Sequence, residues 1–145
     1  LGAGSPEMAV KAVRLCWKSA EVLMSAMGVF FVFGSEWLIG WMAPGSELHL
    51  HLAAPLLVVC AFSQPFFATG IILKTSMRGA GATRMVMRWS FGIMFFFRVL
   101  VLWILVRYAG LTLTGVWVVF SLDLFTQSLV FARLHFRGNW LDARV

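Results

Sequence analysis

Residues 50–73 read LHLAAPLLVVCAFSQPFFATGIIL, without one Asp, Glu, Lys or Arg. As a helix rising about 1.5 Å per residue this run is roughly 36 Å long, enough to cross a hydrocarbon core about 30 Å thick. In water it would need burial on every side. The chain has 145 residues, of which 61% are hydrophobic and 12% charged, against about 25% charged in a soluble domain. Too little polar surface remains to cover such a helix, so the run reads as a membrane span.

Working outward, three more runs pass the same length test. Residues 19–42 hold Glu21 and Glu36 towards the ends, with no charge from Val22 to Ser35. Residues 89–108 are interrupted only by Arg98 and, at the end, Arg107; residues 113–132 only by Asp123. Turn chemistry separates the first two spans at Ala43, Pro44, Gly45 and Ser46. A polar connection over 74–88 follows span two, and a short one with Gly110 follows span three. The expected fold class is an all-α membrane protein, with a four-helix transmembrane bundle over 19–133. A cytoplasmic amphipathic segment, 1–18, precedes it, opened by Ser5, Pro6 and Glu7 as N-cap, N1 and N2. A cytoplasmic tail, 134–145, follows. No signal-peptide pattern is present.

A net charge of +6 and a pI near 10.4 invite a nucleic-acid reading. Position argues against it. Lys11, Arg14 and Lys18, then Lys74, Arg78, Arg84 and Arg88, then Arg133, Arg137 and Arg144 all fall on one side of a four-span chain, ten of the twelve basic residues. The positive-inside rule makes that side cytoplasmic, which places both chain ends there and the protein in the plasma or inner membrane. Trp37, Trp41, Trp89, Tyr108 and Trp140 stand at or beyond span ends, where amphipathic rings prefer the interface. The partner is the lipid bilayer, and no nucleic acid is expected.

Ionisable groups inside a span cost roughly 2.5–3.5 kcal/mol on insertion scales and are functional candidates. Arg98 lies ten residues from Arg88 and Asp123 ten from Arg133, about 15 Å of helix in each case. Sequential antiparallel spans are usually neighbours, so the two groups share a depth and are expected to pair, either as a structural tie or as part of a translocation path. Thr126 and Gln127 extend Asp123 into a polar stripe by helical spacing. In span two Ser63 and Gln64 lie mid-membrane before Pro65, which kinks the helix and frees the Ala61 carbonyl; transporters often build midplane sites from such interrupted helices. Substrate or cation pathway candidates are therefore Asp123, Arg98, Gln127, Thr126, Ser63 and Gln64.

The remaining polar residues carry less. Glu21 can face Lys18 near the interface, and snorkelling accounts for Glu36. His49 and His51 are two apart and do not share a helix face; His135 reads as solvated. Cys16 and Cys60 make no disulfide framework or metal pattern. The stretch from Arg78 to Arg84 lacks the spacing of a phosphate loop. No nucleophile, base and orienting group come together, so no enzyme, cofactor or metal is expected.

Several of these motifs fall in a familiar order. Leu1, Gly2, Ala3 and Gly4 with Pro6, Glu7 and Ala9 open the chain. Gln64–Pro65–Phe66 and then Arg78–Gly79–Ala80–Gly81–Ala82–Thr83–Arg84 follow. Gly115–Val116–Trp117 precedes Asp123, and Arg137–Gly138–Asn139–Trp140 comes last. The chain thus resembles the multidrug and toxic compound extrusion (MATE) transporters over nearly its whole length. Ala82 stands where that family's cytoplasmic loop motif, here Arg78, Gly79, Gly81 and Arg84, usually has Asp. The resemblance implies part of a twelve-helix, two-lobed antiporter that exchanges Na+ or H+ for amphipathic, often cationic, organic compounds by alternating access. It implies helices nine to twelve, or three to six of the similar other half, with the N-terminal helices missing. Some members carry a cation-linked carboxylate in the tenth helix; span two here has none, which leaves Asp123 or an acid in the missing helices. Alternatives are a lipid-linked saccharide flippase of the same superfamily, a small four-helix multidrug transporter and a non-transporting membrane scaffold subunit.

Overall fold

A computed structural model describes residues 6–45, 47–110 and 112–138. The first span is the helix Pro6–Met42 and the second Glu47–Gly79. The third has three continuous parts: an α-helix, Thr83–Met94, a π-helical stretch, Phe95–Val101, and an α-helix, Leu102–Ala109. The fourth is Leu113–Phe136. All four are long and apolar enough to cross a membrane, and no strand occurs among the described residues. The second span is central, with the first packed on one side and the fourth on the other. The third lies against the fourth and second more loosely, and among its described residues only Val86 and Ile93 are buried.

The first span runs unbroken for 37 residues, about 55 Å. Segment 1–18 is therefore, from Pro6 onward, the start of that helix and not a separate element; the Ser5 cap lies outside the described residues. Its inner seam repeats every seven residues: Val10, Trp17, Met24, Phe31 and Leu38 are half-buried. Glu21, Gly28 and Ser35, four residues after three of these, are half-buried or buried. A seven-residue repeat keeps one seam facing a partner helix along its length. At Gly28 the two helices pack closely. A Cβ there would lie 2.9 Å from the Ala61 carbonyl oxygen. That carbonyl is the one Pro65 leaves without its helical donor, and the second span continues as helix through Pro65.

The polar connection expected over 74–88 is a correction. No glycine or proline follows Gly70 until Gly79, so the second helix continues to Gly79 and only Ala80 to Ala82 separate it from the third. The turn satisfies its own backbone. Gly81 N–H donates to the Arg78 carbonyl and Ala82 N–H to the Met77 carbonyl, each at 3.0 Å, with Gly81 at φ +92°. These are the paired bonds of a Schellman cap, which needs a left-handed residue at Gly81. Ala82 and Met77 then meet in a buried cluster with Leu73, Val86 and Phe131, against which Val10 and Val13 pack. All four spans are thereby tied at the end that carries most of the basic residues. At the opposite end Gly110, at φ +57°, closes the third span. The Thr112 hydroxyl caps the fourth through a long bond, 3.4 Å, from Gly115 N–H.

Two matched substitutions test this packing in the full-length protein. Gly28→Ala is expected to lower monodisperse yield and thermal stability in detergent, whereas Gly40→Ala, where an added Cβ meets nothing within 4 Å, leaves both unchanged or improved. Gly81→Ala, which forces a side chain into the left-handed region, is expected to cost about 1 kcal/mol, read as a lower melting temperature.

Candidate functional site

Asp123, on the fourth span, has no exposure at all. Such a carboxylate must be matched within the protein, and both of its oxygens are. Arg98 Nε donates to Oδ2 at 2.8 Å. Gln127 Nε2, one turn along the same helix, donates to Oδ1 at 2.8 Å. The guanidinium also lies 5.2 Å from the centre of the Phe120 ring, within cation–π range. Arg98 reaches across from the π-helical stretch of the third span. A π turn adds a residue to the ladder and re-aims the side chains around it; here the basic residue sits at its centre.

The network continues to a residue that sequence reasoning placed in a loop. Lys74 is half-buried on the extended second helix, and its Nζ donates to Gln127 Oε1 at 2.8 Å. The ammonium lies 5.7 Å from the centre of the Phe131 ring. Arg98, Asp123, Gln127 and Lys74 thus form one polar chain across the third, fourth and second spans. The unbroken run from Gly70 to Gly79 was the available signal that Lys74 belongs to the helix.

Other candidates are placed as follows. Ser63, buried, meets Ser121 at 2.6 Å between their hydroxyl oxygens, and each also contacts a carbonyl one turn earlier, Val59 and Trp117, at 2.9 Å. Two hydroxyl protons serve three contacts, so this tie between second and fourth spans has an acceptor to spare. Ser121 was missed; its only cue is a small polar residue two positions before Asp123. Thr126 is a correction: its hydroxyl donates to the Leu122 carbonyl of its own helix at 2.8 Å. Three residues from Asp123 and one from Gln127, it lies on the flank of the stripe, half-buried. Gln64 likewise sits 100° round the helix from Ser63, half-buried, and the structure does not bring it into the Asp123 network. Arg78 and Arg84 are exposed on either side of the Gly79 and Gly81 turn.

A second polar cluster was also missed. Glu21 does not turn to Lys18. Its Oε1 accepts from Trp17 Nε1 at 3.0 Å and from the Thr69 hydroxyl of the second span. Trp17 Nε1 also lies 3.0 Å from Thr69 Oγ1. The seven-residue seam of the first span explains this, since Glu21 stands on it. Glu36 and His51 are exposed, and the side chain of His49 and residue Trp140 lie outside the described residues. His135 is half-buried against Phe136 and is not the solvated residue expected. No group of three His, Cys, Asp or Glu gathers among the described residues.

The arrangement is a buried anion held by two side chains, one of which, Arg98, is 43% exposed. Removing Arg98 leaves a buried carboxylate without its ion-pair partner, typically a loss of about 3–5 kcal/mol; removing Asp123 costs less, because Arg98 is 43% exposed. Asp123→Asn and Arg98→Gln are each expected to reduce thermal stability in detergent at low salt, and the double variant is expected to recover most of the loss. Additive losses in this cycle would show that the pair does not couple.

Comparison with known proteins shows the family of the chain. Residues 1–104 match the MatE family. The probable multidrug resistance protein NorM of Pseudomonas syringae pv. tomato (strain ATCC BAA-871 / DC3000) is 29% identical over 148 residues, covering 99% of this chain and 32% of that protein. The chain therefore spans about a third of the length of this curated relative. No solved structure matches. With the family match over more than half of its residues and four helices able to cross a membrane, the chain is a multi-pass membrane protein that belongs to the MatE family.

Proposed function

We propose that this chain is part of a cation-coupled antiporter that exports amphipathic, often cationic, toxic compounds by alternating access, driven by Na+ or H+. The observation that carries the reading is the fully buried Asp123, the acid of the inner network, held by Arg98 and Gln127. A carboxylate kept out of water inside a span is costly, and such residues commonly mark ion and substrate paths. The relative's description as a multidrug resistance protein supports the same class of activity. The remaining helices of the full-length protein would supply the opposite wall of the path. The bias of basic residues supports a cell-membrane location with both ends of this segment cytoplasmic.

Expression of the full-length protein in a host lacking its own drug pumps is expected to raise resistance to lipophilic cations. Efflux should collapse when the Na+ or H+ gradient is dissipated. Asp123→Asn is expected to cut gradient-driven efflux at least tenfold (about 1.4 kcal/mol) at matched amounts of folded protein. Efflux that survives loss of both gradients, or an Asp123→Asn variant that exports normally, would overturn the proposal.

A further inference from the structure

Lys74 is a charge that the coupling reading does not use, yet it stands one side chain away from Asp123. Its ammonium donates to Gln127 Oε1, and Gln127 Nε2 donates to Asp123 Oδ1. An amide offers an acceptor at one end and donors at the other. Lys74 therefore fixes which end of Gln127 meets the carboxylate. Arg98 takes the other oxygen. Two positive charges thus surround one negative charge, and each carboxylate oxygen already has a donor.

A mobile cation arriving at Asp123 meets surplus positive charge and must displace a donor. The two donors are not equally placed. Gln127 is buried and anchored by Lys74. Arg98 is partly exposed, meets the carboxylate through Nε, and borders an outward groove of about 540 Å³ with Val99, Leu102 and Trp103. Its flexible side chain has room to withdraw. Asp123, with no exposure, stays in place.

The geometry points to an interlock in which Arg98 and a mobile monovalent cation occupy Asp123 in turn, while Lys74, acting through Gln127, keeps the mobile cation weakly held. The inference rests on the cation-coupled reading and adds two things to it: the side chain that the cation replaces, and a positioning residue that sets affinity. It also links occupancy to movement. The third span packs only loosely, and the Arg98–Asp123 bond ties it to the fourth. A cation in place of Arg98 unties that bond, whereas its departure restores it.

The test is equilibrium binding of Na+ and, separately, of tetraphenylphosphonium to the purified full-length protein in choline buffer. Arg98→Gln and Lys74→Met are each expected to tighten Kd for at least one probe about tenfold, the scale expected from removing one nearby charge. Lys74→Arg, which keeps the charge, should bind as wild type does. Asp123→Asn should abolish binding, alone and combined with either variant. Melting curves provide a second readout: the cation should stabilise Arg98→Gln more than wild type, an effect that a purely structural role would not produce. Wild-type affinity in a monodisperse Lys74→Met or Arg98→Gln protein overturns the interlock, as does the absence of binding of both probes in all forms. If Arg98→Gln does not fold, Lys74→Met decides alone. Tightened binding together with no export under any gradient removes the transport reading and leaves the interlock standing. Export with unchanged binding does the reverse.

Discussion

A carboxylate with no access to water has to be balanced where it stands, and that requirement organises the inner half of this bundle. Asp123 draws a guanidinium from the third span and an amide from its own helix, and the amide draws an ammonium from the second. Apolar packing between these spans is non-directional; lipid tails compete with it on nearly equal terms. The polar chain is directional. It sets the rotation of each helix about its axis, because each donor has one place to be. The serine pair, Ser63 and Ser121, adds a second fixed point between second and fourth spans.

The first span is held differently. It reaches the second through a seven-residue seam, a glycine pressed onto a carbonyl, and the cluster of Glu21, Trp17 and Thr69. The bundle thus has two kinds of junction: a smooth, closely packed one on one side of the second span, and a charged, partly open one on the other. Large apolar side chains such as Phe33, Phe62, Trp103 and Leu129 remain on the outside. That is what the lipid-facing and partner-facing surfaces of a membrane protein require, and it is why the composition looked so far from that of a soluble domain.

Much of this was legible from sequence because the membrane imposes a coarse, one-dimensional code. Length and apolarity gave the four spans, and equal depth gave the Arg98–Asp123 pair. The code failed where the third dimension enters. Lys74 read as loop because a charge follows an apolar run, yet neither glycine nor proline stands between Gly70 and Gly79 to mark a stop. Thr126 read as part of the stripe because helical spacing cannot separate the centre of a face from its flank. Glu21 read as a partner of Lys18 because its actual partner, Thr69, is distant in the chain and apolar in context. Ala82, where the resembled loop motif usually has Asp, is buried at the cap and packs with Met77.

The π-helical stretch around Arg98 has a consequence for which side chains the third span brings to one side. A π turn is an α-helix carrying one additional residue, so the part beyond it, Leu102–Ala109, is turned by about 100° from where a regular helix would put it. The two ends of this span therefore follow different helical phases. The inner end answers to the shared core through Val86, while the outer end, with Trp103 and Arg107, is free to suit whatever lies beside it. In a regular α-helix of the same sequence those outer residues would face about 100° away from where they stand. The charge that meets Asp123 thus stands where the third span changes its helical phase.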